Sequence, residues 1–197
     1  MEEVLVNEEL AWGDPGFATA AYATSLACAP FISVATEELK QKWLSMVYEE
    51  GILASYAVTE PGAGSDVAAC KTSAVRDGDE YVINGSKMWI TGAGYADFFF
   101  VLAKTDVDAG YKGMSGFIVE SSADGFSLGK KESNMGQRCS DTRSIQFDDV
   151  RIPADQLVGG SESGGWMNAM KAFDMSRPNI AAHATGLARA AYEHALQ

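Results

Sequence analysis

The spacing of apolar residues along the chain changes twice. Up to about residue 50 the pattern is helical. ATAAYATSLA (18–27) is rich in helix formers after a break at AWGDPG (11–16), and Thr36 is placed to cap TEELKQKWLSMVYEE (36–50), whose Glu37 and Glu38 suit a helix N-terminus. From Ile52 to about Pro153 the period shortens. ILASYAV, EYVINGSKMWIT, DFFFVLAKT, SGFIVES, FSLGKK and SIQFDDVRI carry strand chemistry, separated by turn signals at RDGD, Asn84-Gly85 and DAGYKG. Strands this close together with no helices between them predict an antiparallel sheet or barrel. After GGSESGG (159–165) the helical pattern returns and is still running at Gln197, with neither a glycine cap nor a proline to stop it. Pro178 predicts that two helices, or one bent helix, meet there. The fold class expected is α+β: the end of a helical domain over 1–50, a complete β-domain over 51–158, and the opening of a second, truncated helical domain over 159–197.

Composition narrows the choice of ligands. The 197 residues carry 27 acidic and 15 basic side chains, a net charge of −12, which disfavours nucleic acid and anionic lipid; an anionic ligand must be held by local donors. Cys28, Cys70 and Cys139 form no Cys-x-x-Cys pair. His183 and His194 are about three helical turns apart, so no metal site is expected. No run approaches the roughly 20 apolar residues of a membrane span. Asn84-Gly85-Ser86 fits a glycosylation pattern, but Asn-Gly is better explained as a hairpin turn.

One stretch promises chemistry. YAVTEPGAGSDVAA (56–69) looks like a nucleotide loop, yet Val67 stands where a dinucleotide fingerprint needs its third glycine, and Ser65-Asp66 follow Gly64 where a Walker loop needs Gly-Lys-Ser/Thr. It joins strand to strand, so its backbone N–H groups are free to hold an anion. Taken alone, it reads first as a tight turn whose glycines supply positive φ.

In order along the chain, YAVTEPGAGSDVAACKT, EYVINGSKMWITGAGYADFFFVLAKTD, GFIVE, NMGQRCSDTRSIQFDDVRIP and FDMSRP resemble the acyl-CoA dehydrogenase family, closest in look to its medium-chain type. The resemblance implies FAD as cofactor, a fatty acyl-CoA thioester as substrate, α,β-dehydrogenation as reaction and an electron-transfer flavoprotein as acceptor. It also implies a homo-oligomer, located in the mitochondrial matrix or the bacterial cytoplasm, and a chain about twice this length. Tyr56, Val58, Thr59, Trp89, Ile90 and Thr91 would line the flavin, with Thr91 as a donor near N5 and Trp89, on the same strand face, as a cover. Gly64 and Ser65 would hold the pyrophosphate, Ser65 also meeting the acyl-CoA. Asp174 and Arg177 would contact the CoA arm, although at i, i+3 they also read as a surface ion pair. Trp89 also reads as an ordinary core tryptophan.

The family's base is a carboxylate, and one of its two positions corresponds to Ser176, a hydroxyl that cannot replace one unaided. No catalytic residue is therefore assigned in this chain, and the 197 residues alone are expected to be inactive. A flavin- or CoA-binding module without catalysis and an acyl-CoA oxidase are the alternatives. Tyr22 corresponds to the closed end of the acyl pocket, and reads otherwise as a packing tyrosine.

Overall fold

A computed structural model describes residues 2–197. Three helices come first: α1 (Glu2–Gly13), α2 (Pro15–Val34) and α3 (Glu37–Ser45), the last running into one π-helical turn over Met46–Glu50. Their boundaries follow from local chemistry. The Asp14 carboxylate accepts from Phe17 N at 2.7 Å while Pro15 takes the first helical position, so the break at AWGDPG both stops α1 and starts α2. Thr36 caps α3 as expected, its Oγ1 accepting from Leu39 N at 3.3 Å.

The strands are β1 (Ala54–Ala57), β2 (Ser73–Asp77), β3 (Glu80–Thr91), β4 (Phe98–Lys104), β5 (Met114–Glu120), β6 (Phe126–Leu128), β7 (Thr142–Pro153) and β8 (Leu157–Val158). They form one sheet in the order β6-β7-β3-β2-β4-β5-β8, with β1 parallel beside β4. The β2–β4 contact is also parallel, and the remaining pairs are antiparallel. The chain closes with α4 (Gly165–Ala195), which packs across α1 and α2.

β4 explains why Phe-Phe-Phe-Val-Leu-Ala shows no alternation. Its side chains point to opposite faces in turn, and both faces are covered. Phe98, Phe100 and Leu102 join Phe31, Trp43, Met114 and Ile118 in a core beneath α2 and α3. Phe99, Val101 and Ala103 join Tyr81, Ile83, Phe117 and Phe147 on the other side.

Several expectations are corrected. Asn84-Gly85 is not a hairpin turn: it lies inside β3 at a bulge, and the β2–β3 hairpin closes at Gly78-Asp79 between the paired Asp77 and Glu80. Gly85, at φ 144°, brings its backbone so close to Thr72 that a Cβ would come within 2.6 Å of the threonine hydroxyl. Asn84 instead braces β7, exchanging two 2.9 Å hydrogen bonds with Asp149. β2 and β8 escaped the sequence reading because neither is a run of large apolar residues. Of the two alternatives at Pro178 the chain takes the single helix, α4 running through the proline. α2, finally, is long and apolar enough by length and composition to span a bilayer, contrary to expectation. Its apolarity has a local use, since Ala18, Ala27 and Phe31 are fully buried against the sheet and neighbouring helices.

Candidate functional site

β1 and the end of β3 lie side by side. Ser55 Oγ donates to the Thr91 carbonyl at 2.7 Å, and Met88 N donates to the Thr59 carbonyl at 2.9 Å. Between them opens a cavity of about 180 Å³ lined by Tyr56, Val58, Thr59, Trp89 and Thr91, with Ala23 and Leu26 from α2 and Phe173 from α4. Five of the residues singled out from the sequence thus meet at one place. A second cavity, of about 320 Å³, is lined by Gly64, Ser65, Val67, Trp166, Met170, Phe173 and Arg177. Phe173 borders both. A cavity of about 400 Å³ between α3 and the 154–160 segment contains none of the predicted residues.

Trp89 reaches the first cavity by an unexpected route. Simple alternation would put Lys87, Trp89 and Thr91 on one face, but the β3–β7 register shifts between Lys87 and Ile90 and Trp89 adopts φ 62°. Lys87 and Ile90 consequently point inward while the Trp89 side chain turns out, 56% exposed. The core-tryptophan reading is therefore excluded. A left-handed tryptophan costs on the order of 1–2 kcal/mol, a strain that the flanking strand pairs must hold. Ile90 belongs to the core beneath the sheet, so its side chain is not a cavity wall and any ligand contact would come from its backbone.

Tyr56 serves as much to join elements as to line space. Its ring stacks on Phe100 at 5.2 Å, meets Phe173 edge-on at 5.6 Å, and its hydroxyl donates to the Ala169 carbonyl at 3.3 Å. Burial pushes this phenol well above its usual range, so it stays a neutral donor.

The glycine loop distinguishes its two readings. Gly62 and Gly64 are not among the residues with positive φ, and a Cβ added to either meets nothing within 4 Å. Neither backbone conformation nor packing within the chain asks for glycine here. Other glycines differ: a Cβ at Gly165 would come within 2.5 Å of the Ser115 backbone, and one at Gly186 within 2.1 Å of the Glu8 carbonyl. The turn's own hydrogen bonds, Glu60 with Ala63 in both directions and Ala69 N to Asp66 O, use none of the N–H groups of Gly62, Gly64 and Ser65. A loop of open space and uncommitted donors suits an anion brought from outside the chain.

Arg177 and Asp174 form the surface pair, at 2.6 Å, with both side chains about 70% exposed. Only Arg177 borders the second cavity, across from Gly64 and Ser65. Ser176 is buried and its hydroxyl donates to the Phe173 carbonyl of its own helix at 3.0 Å. Phe173, Trp166, Met170, Ala23 and Leu26 were not singled out from the sequence. Phe173 opens FDMSRP and so lay within a recognised motif, whereas the others carry no signal beyond apolar helix positions.

Known proteins share this chain's sequence and fold. Residues 1–50 match the acyl-CoA dehydrogenase N-terminal domain and residues 55–150 the acyl-CoA dehydrogenase middle domain. The chain belongs to the acyl-CoA dehydrogenase family. Among members of the family, it is 50% identical over 191 residues to a probable medium-chain specific acyl-CoA dehydrogenase 2, mitochondrial, of Caenorhabditis briggsae, covering 95% of this chain and 46% of that protein. Butyryl-CoA dehydrogenase from Megasphaera elsdenii superposes with a TM-score of 0.94 at 40% identity, covering 98% of this chain and 51% of the other. A glutaryl-CoA dehydrogenase from Mycobacterium smegmatis, solved in complex with FADH2, gives a TM-score of 0.88 at 32% identity over 96% of this chain and 48% of that one. The chain spans about half the length of the relatives it matches.

Proposed function

We propose that this chain is the flavin-binding half of a FAD-dependent acyl-CoA dehydrogenase. One observation carries the reading: the glycines of TEPGAGSD are required by nothing inside the chain, and Gly64 and Ser65 line a cavity that shares Phe173 with the one gathering Tyr56, Val58, Thr59, Trp89 and Thr91. Gly64 and Ser65 would hold the pyrophosphate through backbone N–H groups. Val58 and Thr59 would line the isoalloxazine, Trp89 would limit access of water, and Thr91 would donate from its hydroxyl. Flavin, when bound, supplies the hydride acceptor for oxidation of a thioester across its α and β carbons. Arg177, exposed at the mouth of the second cavity, is available to an anionic CoA arm, with Asp174 holding its guanidinium.

The residues lining the two cavities include no carboxylate, and Ser176 spends its hydroxyl on its own helix. In this reading none of them takes the α-proton, and these 197 residues are inactive by themselves. The whole protein would form a homo-oligomer and pass electrons to an electron-transfer flavoprotein. Anaerobic mixing of the whole protein, loaded with FAD, with a saturated acyl-CoA tests the assignment. Bleaching of the visible flavin absorption is expected; an unchanged spectrum with FAD bound would leave a binding module rather than a dehydrogenase, and rapid reoxidation by oxygen would indicate an oxidase.

A further inference from the structure

Glu60 follows Thr59 directly, and Lys87 precedes Trp89 by two residues, so each of the two motifs around the cavity carries one member of a buried ion pair. Lys87 is 0% exposed and Glu60 6%, and neither lines either cavity. The ammonium spends its three protons on oxygen: Glu60 Oε1 at 2.8 Å, the Leu102 carbonyl at 2.6 Å and the Val58 carbonyl at 3.2 Å. The carboxylate gathers the next segment, accepting from Lys71 N at 2.7 Å, from Thr72 N and Oγ1 at 3.0 and 2.5 Å, and from the Cys70 thiol at 2.9 Å. Two side chains thereby fasten residues 58, 70–72 and 102 to the C-terminal end of β3.

Removing two charges from water is expensive, and an apolar pair of similar volume would often hold the strands together as well. An apolar pair has no directional preference, however. It could not fix the Val58 carbonyl, the strand edge that continues into Thr59, against the strand that ends in Trp89 and Thr91. We propose that Glu60 and Lys87 are positioning residues for the flavin wall, setting the relative placement of Val58–Thr59 and Trp89–Thr91 without touching the ligand. The proposal rests on the flavin reading given above.

The test uses the whole protein, freed of flavin and titrated with FAD, with binding followed by quenching of flavin fluorescence well below the melting temperature of each variant. Lys87→Met and Glu60→Gln are expected to retain the far-UV circular dichroism of the parent while binding FAD about tenfold more weakly or worse, a loss in the range of a charged hydrogen bond. The visible spectrum of the flavin that does bind is expected to shift, which a purely structural role would not produce. Thr72→Val deletes only the hydroxyl that reaches Glu60, and serves should the charge variants fail to fold; a roughly threefold weakening is expected from one neutral bond. Parental affinity and spectrum in the folded variants, whatever their melting temperatures, would overturn the proposal alone. If the parent protein itself binds no FAD, the flavin reading falls and the proposal with it.

Discussion

Replacing Gly64 by Ala separates a glycine needed by the fold from one needed by a ligand. A methyl group at Gly64 meets nothing within 4 Å and no positive φ forbids it, so the folded state accommodates it without strain. The unfolded chain, by contrast, loses freedom, which stabilises the flavin-free protein by about 0.4–1 kcal/mol. In a chain of this size that corresponds to roughly 1–4 °C in melting temperature. If the uncommitted N–H groups of Gly64 and Ser65 hold a pyrophosphate, the methyl group stands at the approach, and loss of one charge-assisted bond costs about 1.5–3 kcal/mol, or tenfold or more in affinity. Gly186→Ala is the control. Its methyl group would lie 2.1 Å from the Glu8 carbonyl where α4 crosses α1, so it must push the helices apart at about 1–3 kcal/mol. Thermal melts of the flavin-free proteins and FAD titrations give both quantities. A destabilised Gly64→Ala with parental FAD affinity would refute the reasoning, because the glycine would then serve the fold.

Thr91→Ala in the whole protein should weaken FAD retention and slow single-turnover flavin reduction by about 1–3 kcal/mol, as for a lost hydrogen bond to a buried polar group; unchanged flavin content and rate would remove the role. For Glu60, burial alone would raise the carboxyl, but Lys87 and the hydrogen bonds from Cys70, Lys87 and Thr72 hold it down at about 2, against an ordinary 4.5. A depressed carboxylate contributes stability that is complete above pH 4.5 and is lost as pH falls through about 2. That acid-sensitive component should disappear from the denaturation profile of Glu60→Gln and persist in Asp174→Asn. Tyr22 is buried, with its oxygen accepting from Asn179 Nδ2 at 3.0 Å and its ring edge-on to His183. If it also closes an acyl pocket, Tyr22→Ala shifts the kcat/KM optimum towards longer acyl groups at about 0.8 kcal/mol per added methylene, and an unchanged optimum from C4 to C14 counts against that role.

The sequence made the architecture readable where chemistry is local. The break at AWGDPG, the cap at Thr36 and the strand runs lie where composition put them, because a breaker, a cap or an apolar run states its own structure. Legibility failed where a distant partner decides. Asn84-Gly85 has the residues of a hairpin turn, but the approach of Thr72 and the pairing with Asp149 make it a bulge. Trp89 and Thr91 share a cavity as strand periodicity placed them, but the bulge after Lys87 turns the pair to the face opposite the buried lysine, which periodicity does not report. Ile90 was included with its neighbours, and its side chain faces the core. The polar chain from Tyr22 through Asn179 and Asn7 to His183 joins three helices at sequence separations that no periodicity reports.

The central claim is that FAD lies across the Gly64–Ser65 loop and the cavity bounded by Tyr56, Val58, Thr59, Trp89 and Thr91. A crystal structure of the whole protein with FAD tests it most directly. The account predicts pyrophosphate oxygens within hydrogen-bond distance of the Gly64 or Ser65 N–H and the flavin ring between Thr91 and the Val58–Thr59 strand edge. Flavin bound elsewhere, with that loop still open to solvent, would contradict it.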